Sequence, residues 1–332
     1  MISDLNIDII QQDLTPSSQT PLAEPIASDR YLHAASSANT RIAYKHDIRH
    51  FRAAGGVLPA TADNIVQYLH RYAASLNPKT LKRRLTALKH WHTYQGFPDP
   101  TALPLVRKTL VGIQKVHGTP PKQAKALSLE TLQILVDYLQ QHPKLIHVRN
   151  NALLQIGFFG ALRRSELVQI CWEHISFVPN KGIEILIPRS KTDQDGQGQF
   201  CAIPYGDENL CPVTALEHWR TQSSSNSGFV FRQLTKGGRV LSRPIAPSNL
   251  NAILKNLAFL CQLNEPLDYS GHSLRRGFAT TASQNHAPLS AIMRQGRWRH
   301  ERTVLDYIEA GQRFDENAAG LIFKNRKSCS PN

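Results

Sequence analysis

Long apolar runs are missing from this 332-residue chain. No stretch approaches the roughly 18 apolar residues that a membrane-spanning helix requires, so no membrane span is expected. Cysteine pairs are missing too. Cys171, Cys201, Cys211, Cys261 and Cys329 form no CxxC and are odd in number. That pattern argues against a disulfide framework and against a thiolate zinc site, and leaves reduced, mostly buried thiols as the default. The 14 histidines include no HExxH and no other ligand spacing, so neither a metal nor a cofactor is expected. The opening residues Met1-Ile2-Ser3-Asp4 have no basic n-region and no apolar h-region. They do not read as a secretory signal, and a cytoplasmic location is expected.

Acidic residues are scarce over most of the chain. The net charge is +14, yet residues 1–29 hold five acids (Asp4, Asp8, Asp13, Glu24 and Asp29) and no Lys or Arg. Residues 30–118 hold 14 bases against three acids. A folded segment that basic is matched to a polyanion, because each neutralised phosphate releases counterions. The plainer reading is a basic surface that aids solubility. The chain is long enough for two domains.

Residues 1–29 are polar, acidic and proline-spotted, and read as a disordered tail. Helical patterning then begins near Ser37 and is stopped by Gly55-Gly56. Thr61 is a plausible N-cap for a second helix carrying Ile65, Val66, Tyr68 and Leu69. Asn77-Pro78 opens a third, with Leu81, Leu85, Leu88 and Trp91 as its apolar stripe. A fourth runs roughly from Leu103 to Val116. Four such helices with short loops predict a helical bundle over 30–118. Residues 119–126, which follow Gly118 and open on Thr119-Pro120-Pro121, read as a proline-stiffened linker.

The third helix carries Lys79, Lys82, Arg83, Arg84 and Lys89 away from its stripe, with no acid between Asn77 and Phe97. A basic helix in a basic bundle is suited to a DNA major groove, with Arg41 and Lys45 of the first helix as further contacts. The plainer reading is a solvated helix face.

Residues 127–332 predict a mostly helical α+β domain. Ser128 caps its first helix, and a second helix ends near Phe159-Gly160. Residues 182–188 and 200–204 read as a β-hairpin joined by a polar turn. The remainder reads as helices at about 212–222, 247–262, 273–285, 288–295, 302–309 and 316–323. The fold class is therefore mainly α, with a small antiparallel sheet in the second domain.

Several residues of this second domain carry chemistry. His272 and Arg275 are three apart and share a helix face. Ser270-Gly271 before them places the pair near a helix start, where backbone N–H groups and the dipole favour a phosphate. Arg275 can bind two phosphate oxygens at once, and His272 can donate a hydrogen bond or shuttle a proton. Arg163 follows an apolar stretch and precedes Glu166, so an internal ion pair between them is the plainer alternative to a phosphate-binding role. Lys191 opens the polar turn, where it can protonate a leaving oxygen; otherwise it is an ordinary hairpin lysine. Tyr307, in Val304-Leu305-Asp306-Tyr307-Ile308, can attack a phosphodiester if nearby arginines lower its pKa, or can simply pack in a core. Trp298 offers one indole N–H and a large flat face, for a phosphate or for packing.

In this order and spacing the set resembles the tyrosine recombinases, the lambda-integrase family, whose signature is Arg–Lys–His-x-x-Arg–His/Trp–Tyr. It falls on Arg163, Lys191, His272, Arg275, Trp298 and Tyr307, with Glu166 as the supporting acid. Leu162-Arg163-Arg164-Ser165-Glu166-Leu167 assigns the first arginine to Arg163. Trp298, nine residues before Tyr307, is preferred to His300 on spacing. Tryptophan there, with Gly271-His272-Ser273 and Asp306-Tyr307-Ile308, makes the chain similar to the Cre-like members.

The resemblance implies a site-specific DNA recombinase working without cofactor through a 3′-phosphotyrosine and a Holliday junction. It implies a helical core-binding domain, a catalytic domain and a terminal helix at about 315–324 that docks on a neighbouring subunit. It further implies a homotetramer on double-stranded DNA with inverted-repeat sites, monomeric when free and associated with the nucleoid. A type IB topoisomerase or telomere resolvase uses the same chemistry, and a DNA-binding regulator with a dead site is the alternative from another class.

Overall fold

The computed structural model describes residues 36–120, 123–188 and 198–311, together with 319 and 322. The acidic tail at 1–29, Lys191 and most of the 315–324 segment lie outside the described residues. The chain divides into two compact units, Met1–Pro121 and Lys122–Asn332.

The described residues of the first unit form a bundle of four α-helices: α1 (Ala38–Ala53), α2 (Ala62–Tyr72), α3 (Pro78–Tyr94) and α4 (Pro104–His117). Its first three helices start at side-chain caps. Ser37, Thr61 and Asn77 accept from the N–H groups of Thr40, Asn64 and Lys79, each cap contributing about 1 kcal/mol. Gly55, at φ +90°, supplies the left-handed turn after α1 that other residues adopt only with strain. The apolar stripes meet in one core of Phe51, Ile65, Leu69, Leu81, Leu88 and Val106. His92 is buried in this bundle and ties it together. Its Nε2 accepts from Ala60 N–H at 2.9 Å and its Nδ1 donates to the Leu88 carbonyl at 2.8 Å.

The second unit starts with α5 (Leu129–Gln141), capped by Ser128, and α6 (Leu145–Phe159). From Ala152 to Phe158 α6 is buried on every side, so it shows no amphipathic period. It is the hub against which α5 and later helices pack. After α7 (Arg164–Gln169) come β1 (Ile175–Val178), β2 (Gly182–Ile187) and β3 (Gln199–Pro204), an antiparallel sheet in the order β1-β2-β3. Ile183 pairs with Ile203 and Ile185 with Cys201, and all four side chains are buried. The alternation visible in the sequence is therefore the pleat of a one-sided sheet. Then follow α8 (Pro212–Ser223), the hairpin β4 (Arg232–Leu234) and β5 (Val240–Pro244), α9 (Pro247–Leu260), α10 (Gly271–Gln284), α11 (Leu289–Gly296) and α12 (Glu301–Gly311). The molecule is mainly helical with small antiparallel sheets.

Three local expectations change. Strand β1 and the β4–β5 hairpin were not foreseen, because four-, three- and five-residue strands carry too little alternation to register as a pattern. Arg84 does not lie on a groove-facing surface. Its side chain is only 11% exposed, its Nε lies 3.5 Å from Asp47, and its Nη1 donates to the Tyr68 hydroxyl at 2.6 Å. Nor are the bases of α3 without acidic partners. Buried Asp47 of α1 also pairs with Arg83 at 2.7 Å, and Lys89 lies 3.9 Å from Asp99. Sequence neighbours alone miss carboxylates delivered by other helices. Lys79, Lys82, Arg83, Thr86 and Lys89 remain exposed on α3, while Arg41 and Lys45 are half-buried on α1.

Candidate active site

The site is built around the start of α10. Ser270 caps the helix: its hydroxyl accepts from His272 N–H at 3.3 Å, while Ser273 Oγ accepts from Ser270 N–H at 2.9 Å. This reciprocal cap places His272 in the first turn with its ring at the surface and turns Arg275, three residues on, inward.

Arg275 is 2% exposed. Its guanidinium donates from Nη1 to the Ala161 carbonyl and from Nη2 to the Gly296 carbonyl. Its Cζ lies 4.1 Å from the centre of the Trp298 ring, a cation–π geometry. Two carbonyls and one aromatic face therefore fix the fork, and three of its five N–H bonds are left over for an anion. Burial, with Arg163 and Arg297 nearby, lowers its pKa to about 9, opposed by Glu166. It still carries its charge at neutral pH.

Arg163 stands at the N-cap of α7, just past the end of α6. Ala161, at φ +43°, makes the turn between them. Glu166 organises this turn. Its Oε2 accepts from the Arg163 backbone N–H at 3.0 Å, its Oε1 from Arg163 Nη1 at 2.6 Å, and its Oε2 again from Arg297 Nη2 at 3.2 Å. Burial by itself would raise the Glu166 pKa, but the bond from Arg163 and the charge of Arg297 prevail and hold it below the usual carboxylate range. The internal Arg163–Glu166 ion pair thus exists, and it leaves the Arg163 side chain 21% exposed.

Tyr307 lies on α12, half-buried. Its hydroxyl is 2.8 Å from His272 Nε2. Its ring centre is 6.2 Å from that of Trp298 and 5.3 Å from Arg276 Cζ. Thr280 of α10 donates to the Tyr307 carbonyl at 3.2 Å, fastening α12 to α10. Here the sequence expectation changes sign. Burial raises the Tyr307 pKa, outweighing Arg275, Arg276 and Arg163, which pull it down. Partial loss of water around the His272 ring, together with Arg275, Arg276 and Arg163, lowers that histidine's pKa. A neutral imidazole therefore faces a protonated phenol, the pairing in which the histidine can accept the phenolic proton.

Five of the six sequence-selected groups, Arg163, His272, Arg275, Trp298 and Tyr307, converge here with Glu166; Lys191 lies outside the described residues. Two further arginines were missed. Arg276 donates to the Ala124 carbonyl and faces the Tyr307 ring. Arg297 is buried against Glu166. Each sits directly beside a selected residue, and a sequence spacing rule does not separate such neighbours. Among the described residues no group of three or more His, Cys, Asp or Glu could hold a metal ion.

Two or more guanidinium groups, a histidine and a tyrosine hydroxyl are gathered around one helix start, a candidate site for an anionic ester. Residues 125–313 match the phage integrase family. The chain belongs to that family and is a tyrosine recombinase, an enzyme of site-specific recombination that breaks and rejoins DNA strands. It is 36% identical over 270 residues to the integrase/recombinase xerD homolog of Selenomonas ruminantium, an alignment spanning 80% of this chain and 78% of the relative. It is 26% identical to the recombinase cre of Escherichia phage P1 over 75% of this chain and 76% of that protein. Among solved structures, a lambda integrase dimer bound to a COC′ core site has the same fold, with a TM-score of 0.60 at 14% identity over 87% of this chain and 77% of that one.

Proposed function

We propose that Tyr307 is the nucleophile of a recombinase that exchanges strands between two double-stranded DNA sites bearing inverted repeats. The observation that carries the reading is the 2.8 Å contact between the Tyr307 hydroxyl and His272 Nε2, one helical turn from Arg275. The Tyr307 oxygen attacks the scissile phosphorus while His272 takes the phenolic proton. The bond from phosphorus to the 5′ oxygen breaks, leaving a 3′-phosphotyrosine. Lys191 gives the leaving oxygen its proton. Arg163, Arg275 and Trp298 stabilise the pentavalent phosphate, and the first two do so with guanidinium groups already held by Glu166 and by backbone carbonyls. The ester conserves the bond energy, so a 5′ hydroxyl from a second site can reverse the step and join the strands through a Holliday junction without cofactor.

Residues 30–118 act in this reading as the core-binding domain, 119–126 as the linker and 127–332 as the catalytic domain. The exposed side chains of Lys79, Lys82, Arg83 and Lys89 line one side of α3, spaced to follow a DNA groove, and Arg41 and Lys45 of α1 support them. The chain is a monomer when free and a homotetramer on DNA, joined through the 315–324 segment, and acts on the nucleoid. Among the described residues no helix is long and apolar enough to cross a membrane.

Covalent capture tests the assignment. Wild type and Tyr307→Phe are incubated with a fragment library of the host genome and its mobile elements, quenched with denaturant, and the protein-linked DNA is sequenced. Linked fragments sharing an inverted repeat, present only with wild type, are the expected result. Linkage by Tyr307→Phe removes the nucleophile assignment, and linkage without sequence preference identifies a type IB topoisomerase. DNA binding without linkage favours a regulator or a missing accessory factor.

A further inference from the structure

We infer that Arg297 is a positioning residue for the first arginine of the site: it occupies one oxygen of Glu166 and so keeps the Arg163 guanidinium turned toward DNA. The inference rests on the recombinase reading above.

Arg297 ends α11 in the left-handed region, at φ +56°, and its own N–H closes the helix on the Arg294 carbonyl at 3.2 Å. Glycine is the residue that takes this conformation without strain, so capping alone does not account for arginine here. The side chain uses what the backbone position makes possible. It is 3% exposed and turns back to donate to Glu166 Oε2 at 3.2 Å, to the Gln295 carbonyl at 2.8 Å and to the Gly160 carbonyl at 3.4 Å. Gly160 directly precedes Ala161, the residue whose carbonyl holds Arg275. The two arginines on the phosphate side are thus anchored on one short turn, and Arg297 braces that turn from behind. Gln295 reinforces the brace by donating to the Phe159 carbonyl at 2.9 Å and to the Ala202 carbonyl of β3 at 2.8 Å.

Charge and hydrogen-bond counting give the consequence. With Arg163 as its sole cation, buried Glu166 would neutralise it and draw its fork into a two-point contact on both carboxylate oxygens, the geometry such pairs favour. Arg297 and the Arg163 backbone N–H together occupy Oε2, so the Arg163 side chain reaches Glu166 with Nη1 alone, on Oε1. The trio keeps a net positive charge, and among the described residues no second donor of the Arg163 side chain bonds to the carboxylate. Arg297 spends its guanidinium on Glu166 and on the Gln295 and Gly160 carbonyls, so its effect passes through Glu166 and Arg163.

The test compares wild type, R297G and R297K on the DNA fragment recovered by covalent capture. R297G is expected to bind that fragment within about threefold of wild type and to slow covalent-complex formation roughly 10–100-fold, by analogy with the loss of residues that orient metal ligands. R297K, which restores the charge without the fork, is expected to recover part of the rate. Wild-type cleavage by R297G overturns the inference, as does a rate loss that only tracks weaker binding or lower melting temperature. A readout that needs no cleavage is the crystal structure of free R297G, in which Glu166 is expected to grip Arg163 through both oxygens. An Arg163 side chain unmoved there overturns the inference even if the recombinase reading stands. Absence of any wild-type covalent complex removes the recombinase reading instead.

Discussion

Replacing Glu166 with glutamine is expected to destabilise the second unit by about 3 kcal/mol at neutral pH. Glu166 is 3% exposed and meets two guanidinium groups and one backbone N–H. Glutamine keeps the shape but turns one acceptor oxygen into an NH₂ that faces a guanidinium donor. Breaking a buried ion pair by removing one partner costs about 3–5 kcal/mol. The lower end applies because Arg163, at 21% exposure, can swing into water, whereas Arg297 cannot. For a unit of this size the melting temperature should fall roughly 6–12 °C.

The pH dependence supplies the sharper check. The folded-state pKa of Glu166 is depressed, so its contribution is complete above the unfolded carboxylate value of about 4.3 and is lost as pH falls through the lower folded value. Urea unfolding of wild type and E166Q should therefore differ most at pH 7 and converge toward pH 3. A difference below about 1 kcal/mol at pH 7, or one constant from pH 7 to 3, refutes the argument that the carboxylate is ionised and shared by two arginines.

Other outcomes follow from the same geometry. K82A should reduce the salt slope of DNA binding by about 0.9, the value of one lost phosphate contact. R84A should leave that slope unchanged and lower the urea midpoint, because Arg84 is spent on Asp47 and Tyr68; paired titrations at several salt concentrations separate the two. The lowered His272 pKa leaves its imidazole mostly neutral at and above the ordinary histidine value of about 6.5. Single-turnover formation of the covalent complex should accordingly hold its rate as pH falls to 6.5 and decline only below it. A rate already halved at pH 6.5 or above would show that His272 is not held neutral.

The helices of the first unit were legible because caps and stripes are local. Ser37, Thr61 and Asn77-Pro78, like Ser128 in the second unit, each mark a helix start within a few residues of the chain. The β2–β3 pairing was legible because Ile183, Ile185 and Ile187 alternate. The short strands at 175–178, 232–234 and 240–244 were not, since their pairing is decided by partners elsewhere in the chain. The site was legible as a set of types and spacings around His272, Arg275 and Tyr307. Arg276 and Arg297 were not, because adjacent arginines look alike until the backbone sends each in its own direction.

By itself the sequence determined the helix starts, the basic character of residues 30–118 and the order of the chemical groups, all of which depend on covalent neighbours. Only the tertiary structure decided which of those charges are spent internally. Asp47 reaches Arg84 from another helix, Glu166 is shared by Arg163 and Arg297, and burial raises the Tyr307 pKa against the arginines around it. Solvation and long-range pairing set those outcomes, and both depend on which distant segments the fold brings into contact.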